Sequence, residues 1–184
     1  MEKGKIFAIS GSSGAGKTTL VNAVLELLSN FRKVKTYTTR PIRPNEISGQ
    51  DYHFLSSKEF EKRIKEGFFI EYSQGYGNYY GCSKSSIEEI KMGLSLIYVL
   101  DLAGCKALKS FYPEAKMIWI DVDLATLETR LKFRGASSSQ IKHRLKIAAA
   151  EMEEIKVEKI FNFHLTNVNL AQAIKELKLL LEQR

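Results

Sequence analysis

The sequence is short of the residues that mark secreted and membrane proteins. Cysteine occurs only twice, as Cys82 and Cys105, with no CxxC pair. That excludes a disulfide framework and favours a reduced, cytoplasmic setting. No apolar run reaches the roughly 18 residues that a membrane-spanning helix needs. The opening "MEKGKIFAIS" lacks a long apolar core and a small-residue cleavage site, so neither a signal peptide nor a membrane partner is expected. Histidine occurs three times, and no His/Cys/Asp cluster has metal-ligand spacing, which argues against a structural metal. His53 and His164 read as strand residues, His143 as an outward helix residue and Trp119 as core. Proline is also scarce, at three residues, yet two of them, Pro41 and Pro44, bracket Arg43.

What is present is a normal apolar fraction of 44% in 184 residues, enough for one domain with a core. The net charge of +7 points to anionic partners. The cations are spread along the chain rather than blocked into a tail, so nucleic acid is not the expected partner. The oligomeric state, monomer or dimer, is left open.

Apolar runs alternate with helical patterns. "KIFAIS" (5–10) reads as a buried strand and 17–29 as a helix, with Leu20, Val21, Val24, Leu27 and Leu28 on one side. "RKVKTY" reads as a short strand, "SSKEFEKRIKEG" as a helix, and "SKSSIEEIKMG" (83–93) as a helix stopped by Gly93. "LSLIYVLD" (94–101) and "KMIWIDV" are continuous apolar strands of the doubly covered kind. Asp123 is placed to cap the helix of "LATLETRLKFRG". A long amphipathic helix, the strand "FNFHLTN" and a closing helix complete the chain. The expectation is an α/β fold with a mostly parallel sheet. The block 36–82, rich in turns and short strands, interrupts this alternation as an inserted lobe.

"GSSGAGKT", Gly11 to Thr18, matches G-x-x-x-x-G-K-[ST] between a strand and a helix. Glycines let backbone N–H groups turn inward around phosphate oxygens, and the helix N-terminus adds partial positive charge. The loop Gly11, Ser12, Ser13, Gly14, Ala15, Gly16, with Lys17, Thr18 and Thr19, is the expected nucleoside triphosphate site. Lys17 would reach the β- and γ-phosphates and Thr18 would hold Mg²⁺. This motif does not name the acceptor. Arg40 and Arg43, on a loop stiffened by proline, could grip a phosphate monoester bidentately, with Tyr52, Tyr79 and Tyr80 adding phenol donors. A solvated loop with exposed arginines is the other reading of that spacing.

"SGSSGAGKTTL", "TTRPIRPNEISGQDYHF", "FFIEYSQGYGNYYG" and "LETRLKFRG…IKHRLKIAAAE" occur in the order and at the spacing of the guanylate kinase family. The resemblance covers nearly the whole chain. It implies a P-loop nucleoside-monophosphate-kinase fold: a core of 1–35, 83–128 and 145–184, a GMP-binding lobe of 36–82 and a lid of 129–144. It implies that ATP phosphorylates GMP, and dGMP with it, in purine metabolism, with Mg²⁺ as cofactor. Arg40, Arg43, Tyr52 and Tyr80 would hold the GMP phosphate. Glu71 would accept from guanine N1–H and N2–H, which adenine cannot match. Thr36, Cys82 and Asp101 would line the base site. Arg130, Arg134 and Arg144 would close over the triphosphate, with Arg40, Arg134, Arg144 and Lys17 as the catalytic cations. Asn167 would lie beside adenine.

Read without the resemblance, Arg130 and Arg134 complement a helix dipole and Asn167 is a turn residue. Val99 and Ala103 replace an acid and an amide usual in the family, Cys82 replaces a small hydroxyl residue, and the lid is one residue short. These differences bear on rates and affinities. Two alternatives share the pattern: a kinase of this fold with another phosphomonoester acceptor, and a guanylate-kinase-like module that binds peptides.

Overall fold

The first apolar run forms strand β1 (Ile6–Ser10), buried at every residue, as a strand covered on both faces must be. The computed structural model describes residues 4–44, 46–75, 77–87, 90 and 93–183. These pack as two compact units, residues 4–8 with 29–115, and residues 9–28 with 116–183.

The first unit contains the sheet order β2-β7-β1. Here β2 (Phe31–Lys33) pairs in parallel with β7 (Ser95–Val99), Phe31 opposite Ser95. It also holds a separate four-stranded sheet in the order β4-β3-β6-β5. Its strands are β3 (Tyr37–Thr38), β4 (His53–Phe54), β5 (Phe69–Gly75) and β6 (Asn78–Ser83). β3 pairs in parallel with β4 and antiparallel with β6, and β5 pairs antiparallel with β6. Helix α2 (Ser57–Lys65) begins at Ser56, which with Glu59 forms a capping box. Phe60 of α2 is fully buried and stacks on Phe69 at 4.4 Å and on Tyr79 at 5.2 Å. Those aromatic stacks fasten the helix to the sheet. A single 3₁₀ turn spans Lys84–Ile87, and α3 (Leu102–Phe111) follows β7 with Asp101 as its cap.

The second unit contains the order β1-β8-β9. Strands β8 (Lys116–Asp121) and β9 (Phe163–Thr166) are parallel, Ile118 opposite Phe163. Its helices are α1 (Lys17–Leu25), α4 (Leu124–Phe133), α5 (Ser138–Val157) and α6 (Leu170–Glu182). α1 packs on α6, and α4 on α5. Asp123 caps α4 by accepting from Thr126 N–H at 2.7 Å. Trp119 is buried in β8, His143 is exposed on α5, and His53 stacks on Tyr37 at 4.5 Å. Among the described residues no helix is long and apolar enough to cross a membrane.

Three elements differ from the sequence reading. The helix expected over 17–29 ends at Leu25, because Leu27 and Leu28 turn back to Val24 and Leu25 in tight three-residue steps. "RKVKTY" is not one strand: its start pairs with β7 as β2, while Tyr37 crosses to the second sheet as β3. In 83–93, Ser83 ends β6 and a 3₁₀ turn follows, while residues 88, 89, 91 and 92 lie outside the described ones.

Candidate active site

The P-loop belongs to the second unit. Gly11, Gly14 and Gly16 carry φ of 147°, 100° and 85°. A Cβ at Gly11 would lie 2.7 Å from the Ile120 carbonyl, and one at Gly16 would lie 2.7 Å from Asn167 Nδ2. Both positions therefore exclude a side chain for space as well as for conformation. Gly16 caps α1 and so supplies no side-chain acceptor to its first turn. The buried hydroxyls of Ser10 and Ser12 have no partner among the described residues. A glycine-rich turn that opens a helix N-terminus, with buried hydroxyls still to be satisfied, suits an anion. Lys17 Nζ donates to the Gly11 carbonyl, and to the Ser12 carbonyl at 3.2 Å. Thr18 follows, half-buried in the same turn.

One carbonyl fixes the shape of this loop. Ala15 O accepts from Asn167 Nδ2 at 2.7 Å and from Arg130 Nη1 at 3.2 Å. Arg130 Nη2 also donates to the Asn167 carbonyl at 2.7 Å. Asn167 is 2% exposed, and its Oδ1 has no partner among the described residues. An acceptor so placed fits an amino group such as adenine N6. Burial, with the neighbouring charge of Arg134, lowers the pKa of Arg130. Arg134 caps the end of α4 in an exposed position, and Arg144 is half-buried on α5.

The residues expected at the acceptor belong to the first unit. Thr36, buried, leads into β3, and Arg40 follows it. The Arg40 N–H donates to Thr38 Oγ at 3.1 Å, which fixes the main chain there. The Arg40 guanidinium lies 5.4 Å from the ring of Tyr52 and 5.6 Å from that of Phe54. Its pKa is raised, with burial opposing and Glu46, Tyr80 and Tyr52 favouring the cation. Arg43 is an exposed loop residue whose N–H donates to Glu46 Oε2 at 2.8 Å.

Glu71, on β5 opposite Cys82 on β6, is 4% exposed. Neither of its carboxyl oxygens has a partner among the described residues. Burial first, and the nearby Asp101 second, push its pKa up to about 8. Both Asp101 oxygens are already engaged: Oδ1 accepts from Gly104 N–H and Oδ2 from the Ser73 hydroxyl, each at 2.7 Å. A Cβ at Gly104 would lie 3.0 Å from Glu71 Oε2 and 3.2 Å from Asp101 Oδ1, so this glycine lets the two carboxyls fit beside α3. A buried carboxyl with two unpartnered oxygens calls for a ligand that brings two donors. Guanine presents that pair.

The guanylate kinase family model matches residues 3–184. The chain belongs to the guanylate kinase family. A guanylate kinase of Neisseria meningitidis serogroup A is 38% identical over 179 residues, covering 96% of this chain and 86% of the relative. One of Thiobacillus denitrificans is 35% identical over 176 residues, covering 95% of this chain and 83% of the relative. Among solved structures, a guanylate kinase from Anaplasma phagocytophilum superposes with a TM-score of 0.79 at 25% identity, covering 97% of this chain and 84% of that one. The family's reaction is the phosphorylation of GMP by ATP.

Against the guanylate kinase pattern, the structure brings Ala15, Arg130 and Asn167 together in one unit, and Glu71, Cys82 and Asp101 in the other. Arg40, Tyr52 and Tyr80 form a third group. Sequence reasoning passed over Glu46, which stands in the quoted "RPNE" segment. Its Oε1 accepts from Arg40 Nη2 at 2.8 Å and its Oε2 from Arg40 Nη1 at 3.0 Å. A second Nη1 hydrogen goes to the Pro41 carbonyl at 2.7 Å. The end-on face of the guanidinium is thus occupied by Glu46 and the Pro41 carbonyl, contacts that use neither Nε–H nor the second Nη2 hydrogen. The signal in the sequence was the carboxylate six residues after Arg40. Glu46→Ala is expected to raise the KM for GMP by roughly tenfold or more, since hydrogen bonds between charged groups count for about 1.5–3 kcal/mol. Steady-state kinetics with each nucleotide varied in turn checks this, the KM for ATP moving far less.

Proposed function

We propose that this chain catalyses transfer of the γ-phosphoryl group of ATP to the phosphate of GMP, giving ADP and GDP, as a cytoplasmic enzyme of purine nucleotide metabolism. The same contacts admit dGMP, because none of the assigned residues depends on the ribose 2′-hydroxyl. The observation that carries the guanine assignment is Glu71 with its two unpartnered oxygens, in a chain whose phosphate loop is intact.

In this reading the loop Gly11–Thr18, with Thr19, binds the ATP phosphates and Asn167 reads adenine. Arg130 holds the loop and the adenine side together. Lys17, Arg134 and Arg144 offset charge on the transferring group, and Arg40 and Arg43 hold the acceptor dianion with Tyr52 and Tyr80. Residues 36–82 act as the acceptor lobe and 129–144 as the lid. Thr36, Cys82 and Asp101 surround the base with Glu71. Thr18 and the nucleotide phosphates would hold Mg²⁺, whose all-oxygen preference suits a hydroxyl and phosphate oxygens. When bound, the ion would supply positive charge that offsets the charge of the phosphates. Transfer in line needs no covalent intermediate, so the work of the chain is positioning and charge stabilisation.

The test is a coupled assay with ATP and Mg²⁺ across GMP, dGMP, AMP, CMP and UMP. Turnover is expected with GMP and dGMP alone. Equal use of AMP would overturn the guanine assignment, and no transfer to any of them would overturn the function.

A further inference from the structure

Cys82 and Tyr98 bring hydrogen-bond donors near Glu71, yet among the described residues neither of its oxygens has a partner. Cys82 faces Glu71 across the β5–β6 ladder and is fully buried. Tyr98, on β7, is also fully buried. Burial above all, with Glu71 among the neighbouring groups that add to it, pushes both pKa values up, the Cys82 thiol to about 12. Both groups therefore keep their protons at neutral pH and remain donors. Desolvated donors beside a desolvated acceptor should pair with it.

Ser86 accounts for their absence from Glu71. It sits in the 3₁₀ turn after β6 and donates its one hydroxyl hydrogen to the Ser83 carbonyl at 2.7 Å. Its oxygen can then only accept. The Tyr98 hydroxyl lies 3.2 Å from that oxygen and the Cys82 sulfur 3.6 Å from it. With the serine hydrogen spent, Tyr98 O–H and Cys82 S–H are the donors in these two contacts. The neighbouring Asp101 takes up the Ser73 O–H and the Gly104 N–H.

We propose that Ser86 is a specificity-determining residue of the base pocket, which collects the Tyr98 and Cys82 protons so that Glu71 stays open to a base carrying two donors. It acts through Tyr98 and Cys82 and positions rather than reacts. The inference rests on the reading of Glu71 as the guanine acceptor. Removing the serine oxygen frees the phenol to donate to Glu71, and the base then competes with an internal partner.

Ser86→Ala, Tyr98→Phe, the double variant and Glu71→Gln are compared for KM of GMP, KM of ATP, kcat and melting temperature. Ser86→Ala is expected to raise the KM for GMP about tenfold, the scale of one hydrogen bond to a charged group, with the KM for ATP unchanged. Tyr98→Phe alone should keep the KM for GMP within about twofold, because the phenol contributes nothing to the base. The double variant should return most of the way to the parent. A merely structural serine would give a rise that deleting the phenol does not reverse, and that result overturns the proposal. So does an unchanged KM for GMP in Ser86→Ala. If Ser86→Ala does not fold, a large KM increase in Tyr98→Phe is the overturning result, since it would place the phenol on the base. An unchanged KM in Glu71→Gln would instead remove the guanine reading itself.

Discussion

Glu71→Gln is expected to raise the KM for GMP by roughly a hundredfold or more and to leave the KM for ATP near the parent's. The amide replaces one acceptor with a donor, so an N–H would face an N–H in a pocket closed to water. That adds an unpaired-group penalty to the lost charge-assisted bonds, and such mismatches give the strongest discrimination that binding sites reach. Steady-state kinetics checks it, and an unchanged KM for GMP would remove Glu71 from the site.

The same residue predicts a pH dependence. Burial and Asp101 raise its pKa from 4.5 to about 8, so the empty pocket at neutral pH holds a protonated acid. Two guanine donors require the carboxylate. Binding GMP must therefore expel a proton, and the KM for GMP should fall as pH rises toward about 8 and level above it. Asp101 faces Glu71 as the other carboxyl, while Cys82 and Tyr98 stay neutral throughout. The range from about pH 7 upward is the one to use, because the phosphate monoester has its own second ionisation near ~6.

Stability should move the opposite way. Between the unfolded value of 4.5 and the folded value of about 8, the native chain holds a proton that the unfolded chain has lost. Stability therefore falls as pH rises through that window, and the loss is complete above it. The Gln variant has no such loss. Without nucleotide it should melt above the parent at pH 9, by a margin that closes toward pH 5, as thermal scans would show.

Lys17→Met is expected to cut kcat by roughly 10²–10³-fold or more, the scale of losing one aligned donor to transition-state charge, with the fold kept. Methionine retains much of the apolar stem in a half-buried position. The ammonium it removes donates to the Gly11 and Ser12 carbonyls, along the rim of the phosphate loop. Single-turnover transfer with saturating ATP and GMP isolates the step, and near-parental turnover would contradict the role given to Lys17.

The phosphate loop was legible because its chemistry is contiguous: eight residues carry the glycines, the lysine and the hydroxyl together. The alternation of strands and helices was legible from periodicity, and the Asp123 cap from a single residue type. Glu71 gained meaning only through resemblance, since one glutamate in "FFIEYS" has no local signature. What stayed hidden depends on partners distant in sequence. Ser73 is defined by Asp101, 28 residues on, and Ser86 by Tyr98, 12 residues on. Gly104 looks like an ordinary helical glycine until the Glu71 carboxyl is placed 3.0 Å from its missing Cβ. The division of "RKVKTY" was hidden for the same reason, because which sheet receives a strand is decided by its neighbours.

The Ala15 carbonyl, gripped by Asn167 and Arg130, has a consequence for how nucleotide is captured. A glycine-rich loop left to itself samples many shapes, and each costs affinity in proportion to its population. Here the loop is moulded by residues 115 and 152 positions away. Much of its ordering is thus done during folding rather than during the encounter. The phosphates meet a cast already set.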